Sequence, residues 1–276
     1  MKKFLLPFLL FCAILSTMAQ TIYTSASNFR GHLQGVAVDE TGIYCSFAYE
    51  MAKFDYNGKL IKRLPAPFHS GDVTTDGEKF YCSVVLRDEA LIKKHGAQNC
   101  LFVYDKNLQL LEVKPFKQLR GIDGIAFING KFYIGLNEHG AARRMKNRIA
   151  IFDKNFKMLK IATVTINRNT KFGAQTLNYF NGKLLAGFYG GGTTSFLFDL
   201  KQLEQSGTTV TPAGILKANT TVGFSVLPAA IAPDGTFIVA RNTRAPDKAS
   251  GQRRFGAKFL FQKADKKGNV ISVEKF

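Results

Sequence analysis

Two stretches 37 residues apart carry nearly the same pattern, HLQGVAVDETGIYCSF from His32 and HSGDVTTDGEKFYCSV from His69. His32 falls on His69, Val36 on Val73, Asp39 on Asp76, Tyr44 on Tyr81, Cys45 on Cys82 and Ser46 on Ser83. A chain that repeats a strand, a turn and an aromatic strand makes one supersecondary unit several times over, and this restricts it to repeat architectures. Three looser copies follow: GIAFINGKFYIGLNE after Asp123, TLNYFNGKLLAGFYG after Gln175 and VLPAAIAPDGTFIVARN after Ser225. The turns carry Asn-Gly, Asp-Gly or Thr-Gly, the signal of short hairpins.

A third strand follows in each copy. It ends in an aromatic residue and Asp in the first four, as Phe54-Asp55, Tyr104-Asp105, Phe152-Asp153 and Phe198-Asp199, and in Phe261-Gln262 in the fifth. Fourth strands are expected at KLIKRLPA, LQLLEVKPF, FKMLKIATVT, TPAGILKA and NVISVEKF. One four-stranded sheet buries too little alone, but sheets arranged radially pack both faces against neighbours. The expected fold is therefore all-β: a β-propeller of five four-stranded blades. Residues 21–29 form an extra β-like stretch that either pairs with the last blade to close the ring or seeds a sixth blade.

The chain opens with Lys2 and Lys3, an apolar run from Phe4 to Leu15, and small residues Thr17 and Ala19 at signal-peptidase positions. The run is too short to span a bilayer. Residues 1–19 thus read as a cleaved signal peptide and 20–276 as one propeller domain, secreted or periplasmic, with no transmembrane segment. Anchoring through Cys12 is disfavoured, because Phe11 is bulky where a lipoprotein signal wants a small residue. Cys45, Cys82 and Cys100 remain, too few for a disulfide scaffold. A core built on 25 phenylalanines and 9 tyrosines must supply the stability. Cys45 and Cys82 occupy the slot of Ile134, Ala186 and Val239, so both are expected to be buried and unbridged.

With His32-Leu33-Gln34-Gly35 and His69-Ser70-Gly71-Asp72 at successive blade starts, the chain resembles secreted propellers related to the NHL and SMP-30/gluconolactonase-like groups. The nearest likeness is to extracellular propellers with His-x-Gln-Gly and His-x-Gly-Asp at those places, and it spans most of residues 30–245. A third blade-start histidine would stand where this chain has Arg120-Gly121-Ile122-Asp123-Gly124.

First strands line the central channel of a propeller. The residues preceding them share a face with the loops that join second to third strands. The channel-mouth candidates are His32, Gln34, His69, Asp72, Arg120, Asp123, Gln175 and Ser225, with Arg241 at the edge. A ring of polar side chains around a wet channel needs no ligand, but a concave polar pocket is also the usual site on such a scaffold. His32, His69, Asp72 and Asp123 offer N/O donors to a divalent metal, yet they come from separate blades and lack a local ligand spacing. No cofactor is expected. Ser46 and Ser83 lie outside any Gly-x-Ser-x-Gly elbow, and the glycines at 190–192 precede no helix that would receive a phosphate.

Charge gives the clearer direction. The chain carries a formal +18, of which Lys2 and Lys3 belong to the leader. The loops 86–99, 137–148 and 241–258 hold 13 basic residues against 4 acidic ones, all on the mouth face. Such clustering beside a pocket points to an anionic partner. Nucleic acid is disfavoured because Phe255 is the lone aromatic among these loops and stacking needs more. Arg120 and Arg241 can fork a carboxylate, sulfate or phosphate. The expected function is binding of an anionic small molecule or glycan by a monomer. The alternative is a hydrolase of lactonase or phosphoesterase type using the His/Asp cluster, and a protein-interaction platform is weaker for want of aromatic anchors.

Overall fold

The structure, a computed structural model, describes residues 20–24, 28–67, 69–137, 144–188, 194–205, 207, 209–217, 229–231, 236–246 and 253–263. Five sheets surround one axis. From the axis outward, the first blade runs Leu33–Asp39, Gly42–Phe47, Glu50–Phe54 and Leu60–Pro65. The second runs Ser70–Thr75, Phe80–Val85, Asn99–Tyr104 and Leu110–Pro115. The third contains Ile122–Ile128, Lys131–Leu136, Arg144–Asp153 and Met158–Thr170, and the fourth Ala174–Phe180, Lys183–Phe188, Thr194–Asp199 and Gly214–Lys217. The fifth holds Ala229–Ile231, Thr236–Pro246 and Arg253–Lys263. Two short helices, Glu89–His95 and Leu200–Glu204, are the helices among the described residues.

The ring closes between its two ends. Gln20–Tyr23 pairs antiparallel with Lys258–Phe261, and Phe29–Arg30 continues along the same edge against Arg254 and Phe255. The amino-terminal stretch therefore occupies the outer edge of the fifth blade and closes the ring, and five is the blade count. The fourth strand expected at NVISVEKF lies outside the described residues, as do the signal-peptide stretch 1–19 and Ser225. Asn242 clasps the seam from inside: its Oδ1 accepts the Leu33 N–H at 2.6 Å and its Nδ2 donates to the Leu33 carbonyl at 3.4 Å.

Burial grades from axis to rim. Every residue of Leu33–Asp39 is buried, whereas Leu60–Pro65 and Leu110–Pro115 are mostly exposed. Each interface is filled by alternating side chains from two blades. Val36, Ile43 and Cys45 pack toward Ile238, Ala240 and Phe259 of the fifth blade. Ala37, Tyr44 and Met51, on the other face of the same sheet, pack with Val73, Phe80 and Cys82 of the second. Cys45 and Cys82 thus face different interfaces, and Cys45, Cys82 and Cys100 are all buried free thiols. Burial pushes the Cys45 and Cys82 pKa values up out of the reactive range.

The aromatic-Asp signature has a local cause. Asp55 Oδ1 accepts the N–H groups of Asn57 and Lys59, Asp105 those of Asn107 and Gln109, and Asp153 those of Asn155 and Lys157. Each carboxylate caps the turn into the fourth strand. That turn needs one left-handed residue, supplied by Gly58 (φ 77°), Leu108 (φ 57°) and Phe156 (φ 62°). The strain at the last two is offset by packing: Leu108 is buried, and Phe156 stacks on Phe132 at 4.6 Å. Asp199 caps the helix Leu200–Glu204 instead, through the Gln202 N–H.

If the Asn242 clasp secures the seam, Asn242→Ala should lower the unfolding free energy by about 2 kcal/mol, because it strands the buried Leu33 N–H. Urea denaturation checks this, and an unchanged midpoint would mean that strand pairing alone closes the ring.

Candidate functional site

A β-bulge opens each of the first four blades. The pairing register slips between Leu33 and Gly35, Ser70 and Val73, Ile122 and Ile125, and Ala174 and Thr176. Bulges take backbone groups out of the ladder and re-aim the side chains beside them. Val36, Val73, Ile125 and Leu177 hold equivalent places, opposite Cys45, Cys82, Ile134 and Ala186; pairing resumes there in blades two and three, and one residue earlier, at Gly35 and Thr176, in blades one and four. Two residues precede each of these places: Gln34-Gly35, Gly71-Asp72, Asp123-Gly124 and Gln175-Thr176. The second slot alternates small and polar residues from blade to blade, as Gly35, Asp72, Gly124 and Thr176, whereas the first holds Gln34, Gly71, Asp123 and Gln175. A side chain on Gly35 would collide with Asp72, one on Gly71 with Asp123 and Ser83, and one on Gly124 with the Ala174 carbonyl, Thr176 and Leu177.

Asp72 is 2% exposed. Its Oδ1 accepts the Val73 N–H at 2.9 Å, and its Oδ2 accepts those of Ile125 at 3.1 Å and Leu177 at 2.8 Å. Those donors are the register-equivalent residues of blades two, three and four. Burial pushes the carboxyl pKa well up, and the N–H groups of Leu177, Ile125 and Val73 pull it back. The repeated serines act in the same layer. Ser46 donates to the Gly71 carbonyl and Ser83 to that of Asp123, each reaching the next blade.

Asp123 is also buried, at 4% exposure. Asn137 Nδ2 donates to its Oδ2 at 3.4 Å, and the Gln175 amide faces the same carboxyl. Gln175 Nε2 also donates to the Phe172 carbonyl at 3.0 Å. Asp123 Oδ1 and Asn137 Oδ1 are buried without a hydrogen-bond partner among the described residues. Burial pushes the Asp123 pKa up to about 8, against the pull of the Gln175 and Asn137 amides.

The imidazoles lie above these acids. The rings of His32 and His69 are 6.3 Å apart between centroids, well inside the roughly 12 Å that contact with one small ligand allows. Gln34 Nε2 lies 2.7 Å from His69 Nε2, an arrangement in which the amide donates to an unprotonated ring nitrogen. Phe255 approaches His32 at 6.2 Å. Crowding by protein lowers the His32 pKa, although solvent still reaches the ring. Their backbones extend the inner hairpins: the Ala48 N–H donates to the His32 carbonyl, and His69 and Val85 exchange both bonds.

That pattern corrects the third blade start. The Asn137 N–H donates to the Gly121 carbonyl, so Gly121, and not Arg120, stands in the histidine slot. Arg120 is exposed one residue earlier and lines a cavity of about 640 Å³ between blades two and three. Arg241 is buried on the fifth blade next to Asn242, and burial lowers its pKa. The structure therefore joins His32, Gln34 and His69 at the rim, and sets Asp123 with Gln175 in a layer where Asp72 serves the backbone. It carries Arg120 to one side.

Among the described residues no three His, Cys, Asp or Glu side chains are grouped to hold a metal. Most of the basic loop 86–99 is drawn into the helix Glu89–His95 and its flanks; residues 138–143, 189–193 and 247–252 lie outside the described residues. Sequence reading missed Asn99, Lys117 and Asn137. Asn137 carried a usable signal, since it ends the second strand at the place of Ala48 and Val85.

Comparison with known protein families and curated sequences finds no match. Among solved structures, sucrose-6-phosphate hydrolase from Lactobacillus gasseri is similar at 12% identity and a TM-score of 0.53, over 90% of this chain and 62% of that one. A protein of unknown function from Bacteroides caccae gives 12% identity and a TM-score of 0.46 over 92% and 93% of the two chains. The Pan2 WD40 domain of Neurospora crassa gives 9% and 0.43 over 88% and 65%. At these identities the likeness is one of fold.

The Asp123 carboxyl sets a pH dependence with a definite sign. Its folded pKa stands above its ordinary value of 3.8, so the native state binds the extra proton, and stability falls as pH rises between about 4 and about 8. Through this group wild type should lose about 4 kcal/mol between about pH 5 and about pH 8 in urea titrations, and Asp123→Asn should lose correspondingly less. Parallel profiles would place Asp123 in contact with water.

Proposed function

We propose that the chain is an exported, monomeric binding propeller that holds an anionic small molecule or glycan across its channel-mouth face. The observation that carries this reading is the sorting of charge. The two channel acids, Asp72 and Asp123, are buried, while the imidazoles of His32 and His69 reach solvent above them, Gln34 is buried against His69, and the Arg120 guanidinium is exposed to one side. A negative ligand would meet donors at the rim without meeting an exposed carboxylate from this layer. Asp123, Gln175 and Asp72 hold the rim from beneath, and Arg241 adds positive charge at the seam.

A hydrolase of lactonase or phosphoesterase type is the second reading. It is favoured by the imidazole pair, which can pass a proton if one ring is neutral and the other charged. Binding is preferred because Asp72, the nearest acid in sequence to His69, has its oxygens engaged by backbone.

Calorimetry with acidic oligosaccharides, such as oligouronates and heparin fragments, tests the proposal. His32→Ala/His69→Ala should weaken binding about tenfold while leaving the melting temperature nearly unchanged. Wild-type affinity should rise as pH falls below about 6.5, where His32, its pKa lowered by burial, gains charge, and the double variant should lose that slope. Equal affinity for neutral oligosaccharides would overturn the anionic reading, and hydrolysis of the probes would favour the second.

A further inference from the structure

The cavity between blades two and three lies off the axis, although two of its lining residues, Val85 and Gly121, hold repeat-equivalent positions. Its walls come from the end of the helix Glu89–His95, the strand start at Asn99, and the connector from Phe116 to Gly121. At about 640 Å³ it lies within the range of small-molecule pockets, and no lining residue is acidic. Lys117 and Arg120 supply two positive charges, and neither enters an ion pair among the described residues. Lys117 lies across Gly96, whose missing side chain and left-handed φ of 74° end the helix and leave the ammonium room.

Asn99 makes the cavity more than a basic dent. It is 5% exposed and oriented by its own amide, because Nδ2 donates to the Leu119 carbonyl at 2.8 Å. Its Oδ1 is then left buried, without a hydrogen-bond partner among the described residues, in a residue that lines the cavity. An unpartnered buried acceptor is costly and calls for a donor. A bare anion has no proton to give it. A ligand that carries both a negative group and hydroxyls satisfies all three side chains.

We propose that this cavity is an anchoring subsite for a hydroxylated anion, of the class of sugar phosphates and sugar acids. Lys117 and Arg120 take the anionic group, and Asn99 Oδ1 accepts a hydroxyl. The proposal rests on the anion-binding reading of the mouth face and says where the charged end of the ligand sits. Val85 is shared: it lines the cavity, and its backbone N–H and C=O pair with those of His69. A single sugar would fill the cavity alone, and a longer chain would run on toward the histidines.

Titration of the full-length protein with glucose 6-phosphate, glucuronate, inorganic phosphate and glucose tests this. Wild type should prefer either sugar anion over phosphate and over glucose by about tenfold. Lys117→Gln and Arg120→Gln should each weaken glucose 6-phosphate binding by about tenfold, whereas His32→Ala/His69→Ala should change it by less than about twofold. Asn99→Ala should erase the preference for the sugar phosphate over phosphate. Because that variant also loses the bond to Leu119, Gln98→Ala serves as a cavity-wall control that should keep the preference. If the histidine pair is required and the Lys117 and Arg120 variants are silent, the subsite is overturned and the mouth reading survives. If phosphate binds as well as the sugar phosphate, hydroxyl recognition by Asn99 is overturned. If no anion binds, both proposals fall.

Discussion

One carboxylate holds three blades in register. Asp72 accepts the N–H groups of Val73, Ile125 and Leu177, which are the same residue of the repeat in three successive blades. Those residues lie on innermost strands that have no neighbour on the axis side, so without an acceptor there each N–H would be buried unpaired. The glycine slots follow from this choice. Asp72 can reach inward because Gly35 leaves the space, and Asp123 occupies the matching space beside Gly71. A ring of five identical polar starts would crowd the axis, so the glycines at 35, 71 and 124 are the packing solution.

This arrangement sets what the mouth can do. Acids drawn into the axis are lost to solvent, which leaves the imidazoles of His32 and His69 at the rim, with Gln34 buried against His69. The second consequence is lateral. Gly121 occupies the third histidine slot, so Arg120 is displaced off the axis toward Lys117 and Asn99. The charge that a symmetric ring would have placed at the centre lies instead over the gap between two blades.

Much of the fold was legible because its causes are local. Hairpin turns such as Asn129-Gly130 and Asn181-Gly182, with positive φ at both residues, can be read from two letters. The aromatic-Asp ends were legible as punctuation, although their work, capping a turn through two N–H groups, emerges only from geometry. The fifth blade shows the limit: its outer edge is held by Gln20–Tyr23 rather than by a described strand that follows in sequence, a non-local pairing that no local pattern specifies. The site was less legible for the same reason. His32 and His69 could be paired by repeat position, but the role of Asp72 depends on backbone from two other blades. The displacement of Arg120 could have been counted, since Gly121 precedes Ile125 by the same four residues as His32 precedes Val36, but the chemistry of Asn99 depends on where its own amide is tied.

Amide hydrogen exchange measured by NMR on wild type and Asp72→Asn tests the central claim most directly. Ile125 and Leu177 are 52 and 104 residues beyond Val73, and nothing but the shared carboxylate ties their protection to residue 72. In wild type both amides should exchange among the slowest. In the variant, which has one acceptor oxygen instead of two, at least one of them should speed up by about tenfold, while Phe127, bonded to Thr74, stays slow. Unchanged exchange at both Ile125 and Leu177 would contradict the account.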